Sequence, residues 1–281
     1  MSERKVMPKK IILIFGFVAI ILVLFYGRWI EPYQLEINHL HVANSKLNEL
    51  ISGMTAVHIS DLHLAGSDYQ SRKILEIITE LKPDFIFLTG DYVQWNGNYE
   101  PALEFLAKLD AKIGVWAVMG DYDYSNDRKS CLFCHEAGTG LPTQRHRVRF
   151  LRNFSEHIAM GGETLQIAGI DRDSTSRKVD GGGNWPKLAT EGASVVLSHN
   201  PMVFDEIAEE QNTLILSGDT HGGQVPLPRW VWSLLGYEKN AKYNRGFFHR
   251  GSSQMYVSKG SGTSHLPFRI MCRPEITVLH F

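Results

Sequence analysis

Three short apolar stretches, each running into an acidic residue, constrain this chain more than any other feature. Met54 to Ile59 alternates loosely, ends apolar, and leads into Ser60-Asp61-Leu62-His63. It reads as a buried strand. Asp84 to Leu88 is a second such strand and runs into Thr89-Gly90-Asp91. Ile113 to Met119 is a third and runs into Gly120-Asp121-Tyr122-Asp123. Between them lie helical patterns. Ser71 to Leu81 places Ile74, Leu75, Ile77, Ile78 and Leu81 on one face, and Pro101 to Leu109 carries proline in its first turn. Strands joined by helical crossovers lie parallel, so their carboxyl ends, and these acids, meet at one edge. Asp61 and His63 are two positions apart, so an extended backbone points both to the same side.

The second half repeats the theme. Val148–Leu151, Thr164–Ala168 and Ser194–Leu197 read as strands, with a polar, Gly-rich loop from Arg172 to Pro186. Ser198-His199-Asn200-Pro201 closes one strand, and Phe204 to Glu210 reads as a short helix. Leu214–Leu216 leads into Ser217-Gly218-Asp219-Thr220-His221-Gly222-Gly223-Gln224. Tyr256–Ser258 and Ile276–His280 finish a second sheet.

Ahead of all this, Ile11 to Gly27 is an unbroken apolar run, preceded by Arg4, Lys5, Lys9 and Lys10 against one acid, Glu3. No small-x-small cleavage pattern follows it, and Tyr26 and Trp29 suit the far interface. The expectation is a basic cytoplasmic tail over 1–10, an uncleaved signal anchor over 11–30, and a globular domain over 31–281. That domain begins with an edge strand and connector over Glu31–Gly53 and holds a Cys-containing insert over 125–146. The positive charge before the span keeps the N-terminus in the cytoplasm and puts the domain outside it. The formal net charge of -1 gives no field for nucleic acid, and no nucleic-acid partner is expected.

The polar strand ends collect Asp61, His63, Asp91, Asp121, His199, Asp219 and His221. These are the ligand types and number that two divalent cations about 3.5–4 Å apart require, with one carboxylate bridging them. The glycines beside Asp91, Asp121, Asp219 and His221 allow sharp turns that aim the side chains inward. In order, D-L-H, G-D, G-(N)-(H)-D, S-H-N-P and G-(H)-T-H-G-G-Q resemble the calcineurin-like metallophosphoesterases. More narrowly, Gly218 to Gln224, Lys259-Gly260-Ser261-Gly262-Thr263 and Cys272 to Thr277 look like the membrane-anchored bacterial branch.

The resemblance implies an α/β fold: a four-layer sandwich of two mixed sheets flanked by helices, behind one N-terminal transmembrane helix. It implies one cation on Asp61, His63, His221 and a bridging Asp91, and a second on Asp91, Asp121, His199 and Asp219. The activity it implies is a membrane-tethered phosphoesterase acting on a phosphodiester, phosphomonoester or pyrophosphate, of a lipid or nucleotide-lipid in particular. The location it implies is the bacterial cytoplasmic membrane. Hydrolysis of a lipid A precursor at the cytoplasmic face would need the opposite topology.

The chain departs from the family pattern at three places. Asp121 stands for Asn, Asp219 for the first His of G-H-T-H, and Tyr122 for the His that assists the leaving group. The first two keep ligand chemistry and favour Mn²⁺, Mg²⁺ or Fe²⁺ at the second position, with Zn²⁺ suited to the position holding His63 and His221. The third leaves a phenol, a much weaker acid than imidazolium, at the catalytic position.

Cys131-Leu132-Phe133-Cys134-His135 fits C-x-x-C-H, the attachment pattern of c-type haem, with His135 as proximal ligand and His146, His157 or Met160 as candidate sixth ligands. The rival readings are a disulfide in an oxidising compartment, or neither. The alternative function is accordingly a redox or sensory module with haem or a dithiol at Cys131/Cys134. Cys272 reads as a buried free thiol, His58 as a core residue supporting the ligands, and His39 and His41 as surface residues. His265 could reach the site as a replacement acid. Arg229, Arg245 and Arg250 are candidates for binding substrate phosphate. Trp230, Trp232, Leu234 and Leu235 are either core or a membrane-facing groove.

Overall fold

The computed structural model describes residues 9–66, 69–124, 131–136, 141–171, 186–188, 192–207, 212–264 and 266–281. The predicted polar loop from Arg172 lies outside these residues as far as 185.

The first sheet contains β1 (Glu36–His41), β2 (Thr55–Ile59), β3 (Phe85–Thr89), β4 (Gly114–Val118), β5 (Arg149–Phe150) and β12 (Glu275–His280). Its order is β1-β12-β2-β3-β4-β5. β2, β3, β4 and β5 are mutually parallel, and β12 runs antiparallel to β2. The crossovers are α3 (Tyr69–Leu81) between β2 and β3, and α4 (Glu100–Leu106) between β3 and β4. The second sheet contains β6 (Phe154–Met160), β7 (Glu163–Ile170), β8 (Ala193–Ser198), β9 (Thr213–Ser217), β10 (Gly246–Arg250) and β11 (Ser253–Val257). Its order is β10-β11-β9-β8-β7-β6, parallel from β11 through β7 with an antiparallel strand at each end. Both sheets are mixed, as the family resemblance implies.

Alternation along the strands builds the layers. In β3, Phe85 and Phe87 point into the core between the sheets, where they meet Trp116, Val195 and Leu214. Ile86 and Leu88 point the other way, into the core beneath α3 and α4. The second sheet has its own outer core, with Val196, Ile215 and Met255 packed under Val203, Phe204 and Tyr243. A strand buried on both faces is apolar throughout, which is why β3 and β9 are plain in the sequence. β6 and β10 leave one face part-exposed, carry mixed residues, and show no such run. The stretch around Phe204 is a 3₁₀ turn over Pro201–Asp205 and not the expected helix from Phe204 onward. Asn200 caps this turn by accepting from the Met202 amide at 2.9 Å, so it begins early and ends at Glu206; residues 208–211 lie outside the described set.

Helix α1 (Lys9–Trp29) has 21 residues, of which Gly27 alone is buried. It is long and apolar enough to cross a membrane. Three further helices are short: α2 (Ser45–Leu50), α5 (Arg229–Leu234) and α6 (Glu238–Lys242).

Candidate metal centre

The carboxyl ends of β2, β3, β4, β8 and β9 converge and bring all seven predicted side chains together. Asp61, His63, Asp91 and His221 form one group, and Asp121, His199 and Asp219 another, each with donor atoms within 4.8 Å of one another. Asp91 lies between the groups: its Oδ2 is 3.5 Å from His63 Nε2 and 3.5 Å from His199 Nε2.

Backbone geometry makes this possible. Asp61, His63, Asp91, Asp219 and His221 all take positive φ, between 48° and 74°. L-residues adopt that region at a cost of about 1–2 kcal/mol each, so the surrounding hydrogen bonds must hold them there. The adjacent glycines serve two needs: Gly90 and Gly222 take positive φ, at 90° and 59°, as the expected turns require, and the glycines also allow close approach. A Cβ on Gly90 would lie 2.5 Å from the Gly120 amide nitrogen and 2.9 Å from His199 Nδ1. The ladder between β2 and β3 continues past the strands, with Asp61 N donating to Gly90 O at 3.0 Å and His63 N to Asp91 O at 2.9 Å. The buried Asp123 carboxylate then ties the next loop in. It accepts from the amides of Asp91, Tyr92 and Gly120, each at 2.8 Å. Burial raises the Asp123 pKa to about 6 against the pull of those amides. Asp123 was not picked out as a site residue, although its place two residues after Asp121 marked it.

The donor set fits divalent cations. In the first group, His63 Nε2 and His221 Nε2 are 3.0 Å apart, and His221 Nε2 is 3.5 Å from Asp61 Oδ1. A tetrahedral ion with bonds of about 2.0–2.2 Å needs its donors roughly 3.3–3.6 Å apart, close to this spacing. Burial, then His63 and Arg269, lower the His221 pKa well below the ordinary value, so its imidazole is neutral and free to donate a lone pair. In the second group, His199 Nδ1 lies 2.7 Å from Thr89 O, which assigns its proton to that bond. Its Nε2 is buried, faces Asp91, and has no hydrogen-bond partner among the described residues. An imidazole held by a backbone carbonyl with its other nitrogen turned to a carboxylate cluster is the arrangement metal sites use. Burial alone would lower the His199 pKa, but Asp91, Asp219, Asp61 and Asp121 together lift it to about 10. Burial also raises Asp91 well above the carboxylate range. So much buried acid calls for compensating positive charge.

Part of that charge is supplied by a residue with no signal in the sequence. Lys239, at the start of α6, forms an ion pair with Asp219 Oδ2. Burial opposes its charge, but Asp219 and Asp121 outweigh this and raise its pKa. The chain therefore carries an extra carboxylate at Asp219, and an ammonium lies on it. None of the predicted phosphate binders is among the residues lining the cleft over the site: Arg229 donates to Ala241 O at 2.6 Å, Arg245, packed beside Gly222, to Met271 O at 3.4 Å, and Arg250 to Asp205 O at 2.9 Å. Lys239 is the basic residue lining the cleft of about 390 Å³ that opens over Asp91, Asp121, Asp219 and His221.

Tyr122 sits on that cleft with its ring edge-on to His63, 4.6 Å between centroids, and to Trp95. Burial and then Asp91 push the phenol up to about 12, so at neutral pH it is a hydrogen-bond donor. His58 is fully buried beneath the site, 2.8 Å from Thr89 Oγ1, and burial lowers it to about 3, as expected of a core histidine. Arg269, fully buried, holds the loop behind His221 by donating to the carbonyls of Gly262 at 2.6 Å, Lys259 at 2.8 Å and Cys272 at 3.0 Å. Cys272 is a free buried thiol, and His265 lies outside the described residues.

The haem reading is corrected. Cys131 and Cys134 are joined to each other as a disulfide, so neither sulfur is left for a thioether. Phe133 between them is buried against Tyr92, Tyr99 and Phe150. His135 is exposed, bridged to Pro142. Within the described part of the insert, Cys131 to Cys134 is a disulfide-closed turn, the rival reading.

Residues 54–230 match the family model for the calcineurin-like phosphoesterase domain. The metallophosphoesterase YkuE of Bacillus subtilis is 28% identical over 260 residues, covering 90% of this chain and 87% of that one. The UDP-2,3-diacylglucosamine pyrophosphatase LpxG of Chlamydia trachomatis is 26% identical, covering 90% of this chain and 91% of its own length. A transmembrane protein with a metallophosphoesterase domain from Danio rerio is 27% identical, covering 83% of this chain and 54% of that protein.

Proposed function

The chain belongs to the calcineurin-like phosphoesterase family and is a metal-dependent phosphoester hydrolase, and from that premise we propose that it cleaves a phosphodiester or pyrophosphate bond of a lipid-linked substrate at a membrane surface. The observation that carries this is the pair of donor groups on either side of Asp91 at the floor of an open cleft. The lipid character is supported by α1 and by the relative whose printed substrate is a diacylated nucleotide sugar.

In this reading Asp61, His63, His221 and Asp91 would hold one divalent cation, and Asp91, Asp121, His199 and Asp219 the other. Bound there, the cations supply Lewis acidity toward the phosphoryl oxygens and lower the pKa of water. The chain's residues do the rest. Thr89 and Asp123 fix the orientation of His199 and of the Asp91 loop. Tyr122 donates a hydrogen bond to the phosphoryl or leaving oxygen. Its phenol is a weak acid, so substrates with good leaving groups, such as a phosphate in a pyrophosphate, are favoured. Lys239 adds a fixed positive charge on the cleft wall. The domain lies on the extracytoplasmic side, an assignment supported by the basic residues before α1 and by the Cys131–Cys134 disulfide, which persists in an oxidising compartment.

The full-length chain in nanodiscs, stripped of metal and then given Mn²⁺, should hydrolyse bis(p-nitrophenyl) phosphate. Asp91→Ala should abolish that gain. Hydrolysis that is indifferent to Mn²⁺ and to Asp91→Ala would end the proposal.

A further inference from the structure

We propose that the face carrying Trp230, Leu234, Leu235, Tyr237, Leu266 and Met271 lies in the headgroup layer of the membrane that α1 crosses, so that the catalytic cleft opens onto the bilayer. This rests on the reading of α1 as an anchor. These six side chains are between 55% and 78% exposed. Single exposed apolar residues are ordinary, but a cluster from α5, the turn after it and the 266–271 loop is not.

What covers the face follows from how α1 joins the domain. There is no slack between them. Gly27, in the last turn of α1, packs so closely on Phe268 and Ile270 that a Cβ would lie 2.8 Å from the Phe268 ring. Its carbonyl accepts from the Arg269 amide at 2.8 Å, and the buried Glu31 carboxylate accepts from the Cys272 amide. The loop bearing Leu266 and Met271 is thus fastened to the end of the anchor. With 21 residues at about 1.5 Å each, α1 is about 31 Å long, against a hydrocarbon core of about 30 Å. Gly27 is then about 3 Å from the end of the span. Anything touching it lies within the headgroup layer, which is roughly 5–8 Å deep.

α5 is held to the same level. Trp232 packs against Gly223, and the neighbouring Gln224 accepts from Ile270 N at 2.9 Å and donates to Leu266 O at 3.3 Å. Trp230 and Leu234 are one turn apart on the free side of that helix. Tryptophan and tyrosine prefer the interface because their rings are apolar with a polar edge. Trp232, Tyr237 and Leu266 also line the catalytic cleft. A second cleft of about 180 Å³ reaches His63 between Tyr33 and Pro267, again beside the anchor. The site therefore faces amphiphiles whose phosphate lies at headgroup level while their acyl chains stay in the bilayer.

The test uses the full-length chain in phosphatidylglycerol/phosphatidylcholine nanodiscs, with nitroxide labels placed singly by Leu234→Cys, Met271→Cys, Leu22→Cys and Lys108→Cys. The native cysteines are paired or buried and do not compete. Collision with oxygen relative to a polar nickel chelate should be several-fold higher at 234 and 271 than at the exposed Lys108 position, on the edge of the domain opposite the site. Water-like accessibility at 234 and 271 with a lipid-like Leu22 label would overturn the docking face and leave the anchor intact. A water-like Leu22 label would overturn both.

Discussion

Asp61, His63 and His221 are buried, the two histidines at the floors of the clefts, whereas Asp121 and Asp219 stand part-exposed. The first group offers two imidazole nitrogens and two carboxylates, held by the β2–β3 ladder and the Arg269 loop. The second offers one imidazole among carboxylates, with Lys239 on Asp219. Burial makes the first group rigid and hard to leave empty, since its donors have been taken from water and aimed at one point. Exposure makes the second the half where cation, substrate phosphate and the Lys239 ammonium meet. The difference teaches where the departures from the family pattern can be absorbed. The two ligand replacements, Asp121 and Asp219, fall on the open half, where charge can be traded with solvent or Lys239, and Tyr122 lies on the cleft between the halves with its ring against His63.

Five substitutions would break or sharpen this contrast. Asp91→Ala removes the shared carboxylate. Activity should fall by at least about 10³-fold, beyond the 10²–10³ typical of one oxyanion donor, and bound Mn²⁺ measured by atomic absorption should drop at both positions. Next, His221→Ala should cost on the order of 10²-fold or more in kcat/KM, while Asp219→Ala should cost nearer tenfold. Equal losses would erase the distinction between closed and open halves. Tyr122→His places a better acid over the site and should raise kcat on an alkyl phosphodiester about tenfold, a part of the 10²–10⁴ that a positioned general acid contributes, with less effect on an aryl ester. A gain of the same size on both esters would show that proton delivery is not what the phenol lacks. The smallest effect is Lys239→Met. It frees Asp219, so calorimetry should find the weaker of two Mn²⁺ ions bound up to about fivefold tighter, the worth of a partly exposed ion pair. Weaker binding would mean that Lys239 positions Asp219 and does not compete with the cation.

The elements buried on both faces were plain from their residues. β2, β3, β4, β8 and β9 are apolar runs, and α3 shows its stripe at Ile74, Ile77 and Ile78. β6, β10 and α2 were not, because part-exposed edge elements accept mixed residues and are held by pairing with a neighbour. The donor set was legible for the same reason the strands were, since each donor follows a run that must end at the sheet edge. Asp123 and Lys239 were harder. The role of Asp123 lies in accepting amides from a loop 30 residues upstream. Lys239 lies in a polar stretch 20 residues after its carboxylate.

The residue order alone set the apolar span, the parallel crossover pattern and the seven metal-seeking side chains, because burial and ligand chemistry are properties of residue type and spacing. Only the folded chain decided that two cysteines would bond to each other, that an ammonium would offset the added acid at Asp219, and that α1 would be fastened beside the cleft. Each of these depends on which distant surfaces come within a few ångströms, and local pattern does not encode that distance.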